Sequence, residues 1–332
     1  MSKIIPRGRL APSPTGALHL GNARSFLIAW LSIRSQHGSL VLRIEDLDHP
    51  KVKPNAVDEA LEDLKWLGLD WDEGPDKGGD CAPYTQSLRR NYYRDALNRL
   101  SKNVYPCVCS RKDVENAQSA PHIDEQVGMM AYSGTCRHRF ENWNDAVKFL
   151  SGDRIPAWRF NMTKEMSATA FAFEDGFYGR HELDVYEKIG DFVLARDKDG
   201  AGYTLAVVVD DALMGITEVV RGDDLLDATH CQIALQKTLG FNTPAYYHVP
   251  LVVAEDGRRL AKRHGDTRIR SLRESGISGE TIVGLLAYWC GWAHFGEKVS
   301  AQDLISRFDM KTLKHEQAVL TPDIKNFLSI NT

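Results

Sequence analysis

Apolar positions along the chain change period several times, and each change marks an element. Ile4 to Leu10 has the content of a short strand, and Ala11-Pro-Ser-Pro-Thr-Gly16 has the prolines and glycine of a tight loop. From Leu18 to about His37, Ala23, Phe26, Leu27, Trp30 and Ile33 recur at helical spacing, with Gly38 as a natural stop. Ser39 to Ile44 reads as a buried strand that ends at Glu45, Asp46 and Asp48. A second helix carries Val57, Leu61, Leu64 and Leu67 on one face, and a third spans roughly Gln86 to Ser101. Strand, loop, helix, strand, helix is the rhythm of crossover connections, so the expected fold is α/β, a doubly wound parallel sheet of the Rossmann-like, nucleotide-binding type.

The rhythm breaks between about Pro106 and Gly190, a turn-rich stretch that holds three of the six cysteines and reads as an insertion. Strands of the parallel sheet are expected again at Asp191–Arg196, Leu205–Val209 and His248–Ala254. From Leu272 onward the pattern turns helical, with Ile282, Leu285, Leu286 and Trp289 on one stripe. The expected organisation is a first half of the sheet domain in 1–105, an inserted subdomain in 106–190 and a second half in 191–255. A basic loop and a short helical C-terminal region fill 256–332.

Composition narrows the class. Hydrophobic residues make up 43% and charged residues 26%, as in a packed globular protein rather than a disordered one. The net charge of -4 means that any contact with nucleic acid needs a local basic face. Met1 to Pro14 lacks the apolar core of a signal peptide, and no run of 18 apolar residues exists, so no membrane span and a cytoplasmic location are expected. Six cysteines without secretory features read as reduced thiols or metal ligands.

Two stretches carry chemistry. Arg9-Leu-Ala-Pro-Ser-Pro-Thr-Gly-Ala-Leu-His-Leu-Gly-Asn22 leads from a strand into a helix whose start offers backbone N–H groups and a positive dipole end, suited to a triphosphate. His19 can donate to phosphate oxygens, and Gly21 lets a base or ribose approach the backbone. Asp256-Gly-Arg-Arg-Leu-Ala-Lys-Arg-His-Gly265 is a strongly basic, glycine-bearing loop after a strand. A mobile lysine that closes over a phosphoryl group is a recurring need of nucleotidyl transfer, because charge gathers on the transferring phosphorus.

These stretches resemble the signature elements of the class I aminoacyl-tRNA synthetases, glutamyl branch. His19-Leu-Gly-Asn22 looks like the "HIGH" element and Arg259-Leu-Ala-Lys-Arg263 like the "KMSKS" element. The blocks Arg9 to Gly16, Arg43-Ile-Glu-Asp46, Gly202-Tyr203 with Val208-Val-Asp-Asp211, and Gly215 to Gly222 match glutamyl-type blocks in order. The resemblance implies ATP binding by His19, Gly21, Asn22 and Lys262, with His19 and Lys262 on the phosphates as catalytic residues. Mg²⁺ is expected with ATP, held largely by phosphate oxygens and water. It implies that Arg221 holds the side-chain carboxylate of L-glutamate, assisted by Arg9 and Tyr203, while Glu45 and Ser13 hold the amino group. An arginine fork suits a carboxylate. The chain departs from the pattern at Ala261, Arg259 and Asn22, and Cys231 stands where relatives usually carry arginine.

After Gly265, 67 residues follow, too few for the helical anticodon-binding region of a complete glutamyl-tRNA synthetase. The resemblance is therefore to the glutamyl-Q tRNA(Asp) synthetases, which load glutamate onto queuosine at the wobble position of tRNA(Asp). It implies a queuosine-bearing anticodon stem-loop as partner. With the anticodon-binding region missing, activation is expected without tRNA, and Arg111, Lys112, Arg137 and Arg139 in the insertion read either as contacts to the stem phosphates or as a solvated surface. Cys107, Cys109, Tyr132 and Cys136 look like that family's structural site for one Zn²⁺, and His122 or His138 are alternatives to Tyr132. Two other readings stay open: a short glutamyl-tRNA synthetase that charges a 3′ end, and a non-catalytic nucleotide-binding paralogue.

Overall fold

The computed structural model describes residues 5–14, 17–47, 55–110, 112–114, 132, 134–258, 260 and 266–330. In chain order, β1 (Arg7–Leu10), α1 (Leu20–Arg34), β2 (Ser39–Leu42), α2 (Ala56–Trp66) and α3 (Arg90–Arg99) come first. The middle holds β3 (Val104–Cys107), α4 (Trp143–Phe149), β4 (Ala157–Phe160), β5 (Ala172–Asp175), β6 (Gly179–Glu182) and β7 (Val193–Ala195). Then follow α5 (Tyr203–Leu213), β8 (Glu218–Gly222), α6 (Leu226–Leu239), β9 (Ala245–Val249), β10 (Val252–Ala254), α7 (Gly279–Cys290) and β11 (Ala318–Leu320).

β1 and β2 pair in parallel, with α1 as their crossover. β8 and β9 pair in parallel, β5 joins β9 in the same direction, and β6 closes that edge antiparallel. The two ladders meet where the Thr217 N–H donates to the Arg7 carbonyl at 2.8 Å. Helices cover both faces. Leu40 and Leu42 of β2 pack into a core with α1 and α7, while Val41 between them packs into a second core with α3, α5 and α6. That alternation follows from the two-residue period of a strand. The sheet is thus mixed rather than wholly parallel.

α1 is apolar nearly all round, as a helix wedged between a sheet and α7 must be. It stops where a Cβ on Gly38 would meet the Pro6 carbonyl oxygen at 2.4 Å, so the return into β2 needs glycine.

Three sequence expectations change. Leu205–Val209 lies in α5 rather than in a strand, because a buried apolar run looks alike in both elements. Residues 193–195 do form a strand, but β7 belongs to an antiparallel sheet with β4 and β3. The helical C-terminal region contains β11, which pairs in parallel with β10. The stretch 106–190 contributes to two sheets, since β4 lies beside β3 and β5 beside β9. Among the described residues, no helix is long and apolar enough to cross a membrane.

Candidate active site

The loop after β1 turns into α1 through His19, which caps the helix: its Nδ1 accepts from the Gly21 N–H at 3.1 Å. The Leu20 N–H goes to the Thr267 carbonyl at 3.1 Å. The first two N–H groups of the helix are therefore already bonded, which corrects the picture of a fully open anion cradle. What remains is the imidazole edge. With Nδ1 accepting, the proton sits on Nε2, and burial holds His19 below its ordinary value, so it is a neutral donor at pH 7. Gly21 has a local reason to be glycine, since a Cβ would meet His19 Cε1 at 3.0 Å. Asn22 is exposed beside it.

Lys262 lies outside the described residues, as do Arg259, Ala261 and Arg263. The chain on the far side of that loop is pinned to the start of α1. The Ile269 N–H donates to the Leu18 carbonyl at 2.8 Å, and His19 forms an antiparallel bridge with Arg268. The stretch that follows the basic loop is therefore held beside the histidine motif.

Beside them is a buried set of arginines and carboxylates at the carboxyl ends of β1, β2 and β8. Arg43 is fully buried and donates to Asp211 at 2.6 Å and to Glu45 at 3.0 Å. Burial pulls Arg43 down, but Asp211, Glu45 and Asp210 outweigh it and hold it above the ordinary arginine value. Arg9, 7% exposed, donates to the Val220 carbonyl at 3.0 Å and lies 3.8 Å from Asp211. Its Nε has no hydrogen-bond partner among the described residues. Burial pushes the Glu45 carboxyl up, with Arg43 and Arg9 pulling against it. A ligand ammonium placed there would restore the carboxylate. Ser13 is exposed on the loop whose Pro12 carbonyl accepts from the Glu45 N–H at 3.0 Å.

Arg221, 6% exposed, stands on β8 with no carboxylate within ion-pair distance among the described residues. Its partners are neutral: Thr229 at 2.7 Å, Gln232 at 2.8 Å, His248 at 3.1 Å and the Tyr203 hydroxyl at 3.5 Å. A buried guanidinium without an anion leaves a charge for a ligand to neutralise. Tyr203, at the first turn of α5, keeps 41% of its surface accessible, so the buried Arg221 has an exposed side chain beside it. Cys231 points into the second core, where burial pushes its thiol up to about 12.

A separate cluster forms at the end of β3. The sulfurs of Cys107, Cys109 and Cys136 lie within 4.8 Å of one another. The Tyr132 hydroxyl is 3.3 Å from Cys107 Sγ and 3.5 Å from Cys109 Sγ. Tetrahedral zinc with thiolates at about 2.3 Å sets ligand atoms about 3.8 Å apart, so the donor set fits. The hydrogen bond between them pulls Cys136 down and pushes Cys107 up. The Arg159 Nε–H donates to Cys107 Sγ at 3.2 Å, and its guanidinium covers the Tyr132 ring at 3.8 Å. His138 is exposed, and His122 and Arg111 lie outside the described residues. Arg137 is ion-paired with Asp191 at 2.8 Å, and Arg139 packs over the Phe149 ring, so neither stands as a free basic arm.

Arg43, Asp175, Asp211, His248 and Arg159 have no role assigned by the sequence motifs. Arg43 and Asp211 sit inside the matched blocks, and His248 near the carboxyl end of a parallel strand, where α/β ligands bind.

Residues 7–324 match the family described as tRNA synthetases class I (E and Q), catalytic domain. The chain is 47% identical to the glutamyl-Q tRNA(Asp) synthetase of Symbiobacterium thermophilum, over 93% of this chain and 94% of the relative. The chain belongs to the glutamyl-Q tRNA(Asp) synthetase family. Its catalytic domain is that of an aminoacyl-tRNA synthetase, a ligase. It is 37% identical to the glutamate–tRNA ligase of Sulfurihydrogenibium sp., covering 95% of this chain but 65% of that one. The glutamate-tRNA synthetase structure from Elizabethkingia anophelis superposes with a TM-score of 0.79 at 26% identity, over 97% of this chain and 69% of the other.

Proposed function

We propose that the chain activates L-glutamate with ATP and transfers the glutamyl group to queuosine in the anticodon loop of tRNA(Asp). The observation that carries the glutamate half is Arg221, a buried cation whose partners among the described residues are all neutral, with Nη1 3.5 Å from the hydroxyl of the accessible Tyr203. The side-chain carboxylate is read by Arg221, Arg9 and Tyr203, and the ammonium by Glu45 and Ser13. The α-carboxylate is already ionised, so one of its oxygens attacks the α-phosphorus of ATP. The bond to the bridging oxygen breaks and pyrophosphate leaves with Mg²⁺. No general base is needed, and catalysis is positioning plus charge stabilisation by His19 Nε2–H and Lys262. In the second step a hydroxyl oxygen of the queuosine ring attacks the acyl carbon, the bond from that carbon to the AMP phosphate oxygen breaks, and the hydroxyl proton passes to the departing phosphate.

Near-complete coverage of the relative of that name supports the acceptor reading. Zn²⁺, held by Cys107, Cys109, Tyr132 and Cys136, would supply a structural cross-link and no reaction step. The test is glutamate transfer to queuosine-containing and queuosine-free tRNA(Asp), with tRNA(Glu) as control. Glutamylation of the first alone is expected. Transfer to the 3′ adenosine of tRNA(Glu) would overturn the reading in favour of a short glutamyl-tRNA synthetase.

A further inference from the structure

β8 and β9 are in register with Arg221 opposite His248. The Arg221 Nε–H donates to His248 Nε2 at 3.1 Å. The other ring nitrogen, Nδ1, stands 2.7 Å from Asp175 Oδ2, and neither side chain reaches solvent. An ionised carboxylate can only accept, so Nδ1 carries the proton and Nε2 offers its lone pair to Arg221. Asp175 is itself held by the N–H groups of Phe177, Tyr178 and His248.

We infer that Asp175 and His248 are positioning residues for the substrate side-chain site. The carboxylate sets the tautomer of the imidazole, and the imidazole turns the Nη1 edge of the Arg221 fork toward the accessible Tyr203. Nη2 is held by Thr229 and Gln232, and Nε by His248. Nη1, 3.5 Å from the Tyr203 hydroxyl, is the edge turned to the ligand. A neutral acceptor at position 248 suits this task. A carboxylate there would neutralise Arg221 and compete with the substrate, whereas an imidazole orients the fork and leaves its charge. The inference rests on the glutamate reading of Arg221.

The ring must stay neutral for this to work, and its surroundings favour that. It is faced by Asp175 and Phe173 from β5, Arg221 from β8 and Thr229 from α6, with Tyr246 of its own strand stacked at 6.0 Å. Burial, with the Arg221 and Arg9 charges, holds His248 below its ordinary value against the pull of Asp175.

The experiment is ATP–pyrophosphate exchange by the full chain, with and without tRNA, varying glutamate and ATP separately. A glutamate-dependent thermal shift gives a readout apart from catalysis. His248→Ala is expected to raise the glutamate KM roughly ten- to hundred-fold and leave the ATP KM unchanged. Asp175→Asn can donate to Nδ1 and so move the ring proton to Nε2, against the Arg221 N–H; the same selective loss is expected. His248→Gln, whose amide oxygen replaces the lone pair, should recover most of it. An unchanged glutamate KM in His248→Ala, an equal rise in the ATP KM, or no rescue by Gln over Ala would overturn the inference. If Asp175→Asn fails to fold, the two His248 variants decide. A wild-type chain without glutamate-dependent exchange would fell the glutamate reading and this inference with it. Exchange in the wild type with His248→Ala unaffected would fell the inference alone.

Discussion

The Nδ1 of His19 accepts from the Gly21 N–H at 3.1 Å, and that bond decides which edge of the imidazole faces a ligand. The ring serves two ends, capping α1 and presenting Nε2–H. The two are separable by substitution. His19→Ala should lose about 1 kcal/mol of stability with the cap, and roughly 10²- to 10³-fold in exchange rate with the donor. His19→Asn, a good capping residue with a shorter reach, should keep the stability and still lose the rate. Thermal melts beside exchange kinetics check this; full activity in His19→Asn would remove the phosphate role.

Arg221→Ala should cripple glutamate use and spare ATP. Losing a buried charged hydrogen bond to the substrate costs on the order of 2–5 kcal/mol, tens- to thousands-fold in apparent affinity. Steady-state kinetics with each substrate varied in turn provide the measurement. A glutamate KM and rate like those of the wild type would contradict the assignment.

Acid should weaken glutamate binding. Burial, opposed by Arg43 and Arg9, raises the Glu45 carboxyl, so it takes up a proton at higher pH than an ordinary carboxylate and then no longer attracts an ammonium. Affinity dependent on the ionised form is present above the raised value and lost as pH falls through it. The substrate's own side chain, near 4.3, stays ionised above about pH 5. The glutamate KM is therefore expected to climb as pH falls from neutral, beginning at a higher pH than an ordinary carboxylate would give, while a flat profile would show that Glu45 does not face the amino group.

The cysteine cluster should carry about one Zn²⁺ per chain, as expected for a Cys₃Tyr set, reduced in Cys107→Ser or Cys136→Ser. Arg159→Leu removes the N–H that supports Cys107 Sγ, and should weaken metal binding roughly ten- to hundred-fold. Metal analysis of purified chain, with chelator titration, is the check. A folded, active protein without metal would end the structural zinc proposal.

Asp63 on α2 is buried, and both its carboxylate oxygens lack a hydrogen-bond partner among the described residues. Arg273 approaches only to 3.6 Å. Burial outweighs that cation and pushes the Asp63 carboxyl up to about 6. A carboxyl raised in the folded state costs stability above that value and costs less as pH falls through it. Asp63→Asn should thus stabilise the chain by ~1–3 kcal/mol at pH 7.5, with the gain shrinking toward pH 4.5. A lower Tm for the variant at pH 7.5 would mean that the pair with Arg273 matters more than burial.

The sequence alone determined what is local. Helical spacing located α1, the apolar stripe located α7, and the ordered blocks matched the family's, so that the glutamate-binding roles of Arg9, Glu45, Tyr203 and Arg221 are what that resemblance implies. Such signals survive because period and motif are properties of neighbouring residues. Tertiary structure decided the rest. Only packing could tell that Leu205–Val209 is a buried helix, or that β7 runs antiparallel, because a run buried on all sides carries no period. Only the parallel register of β8 and β9 sets His248 against Arg221, 27 residues away in sequence. Only the fold brings Asp175 behind that histidine, across 73 residues, and Arg159 against Cys107, across 52. Each of these contacts is a side chain meeting another from a different strand, and strand pairing is set by which faces can be buried together.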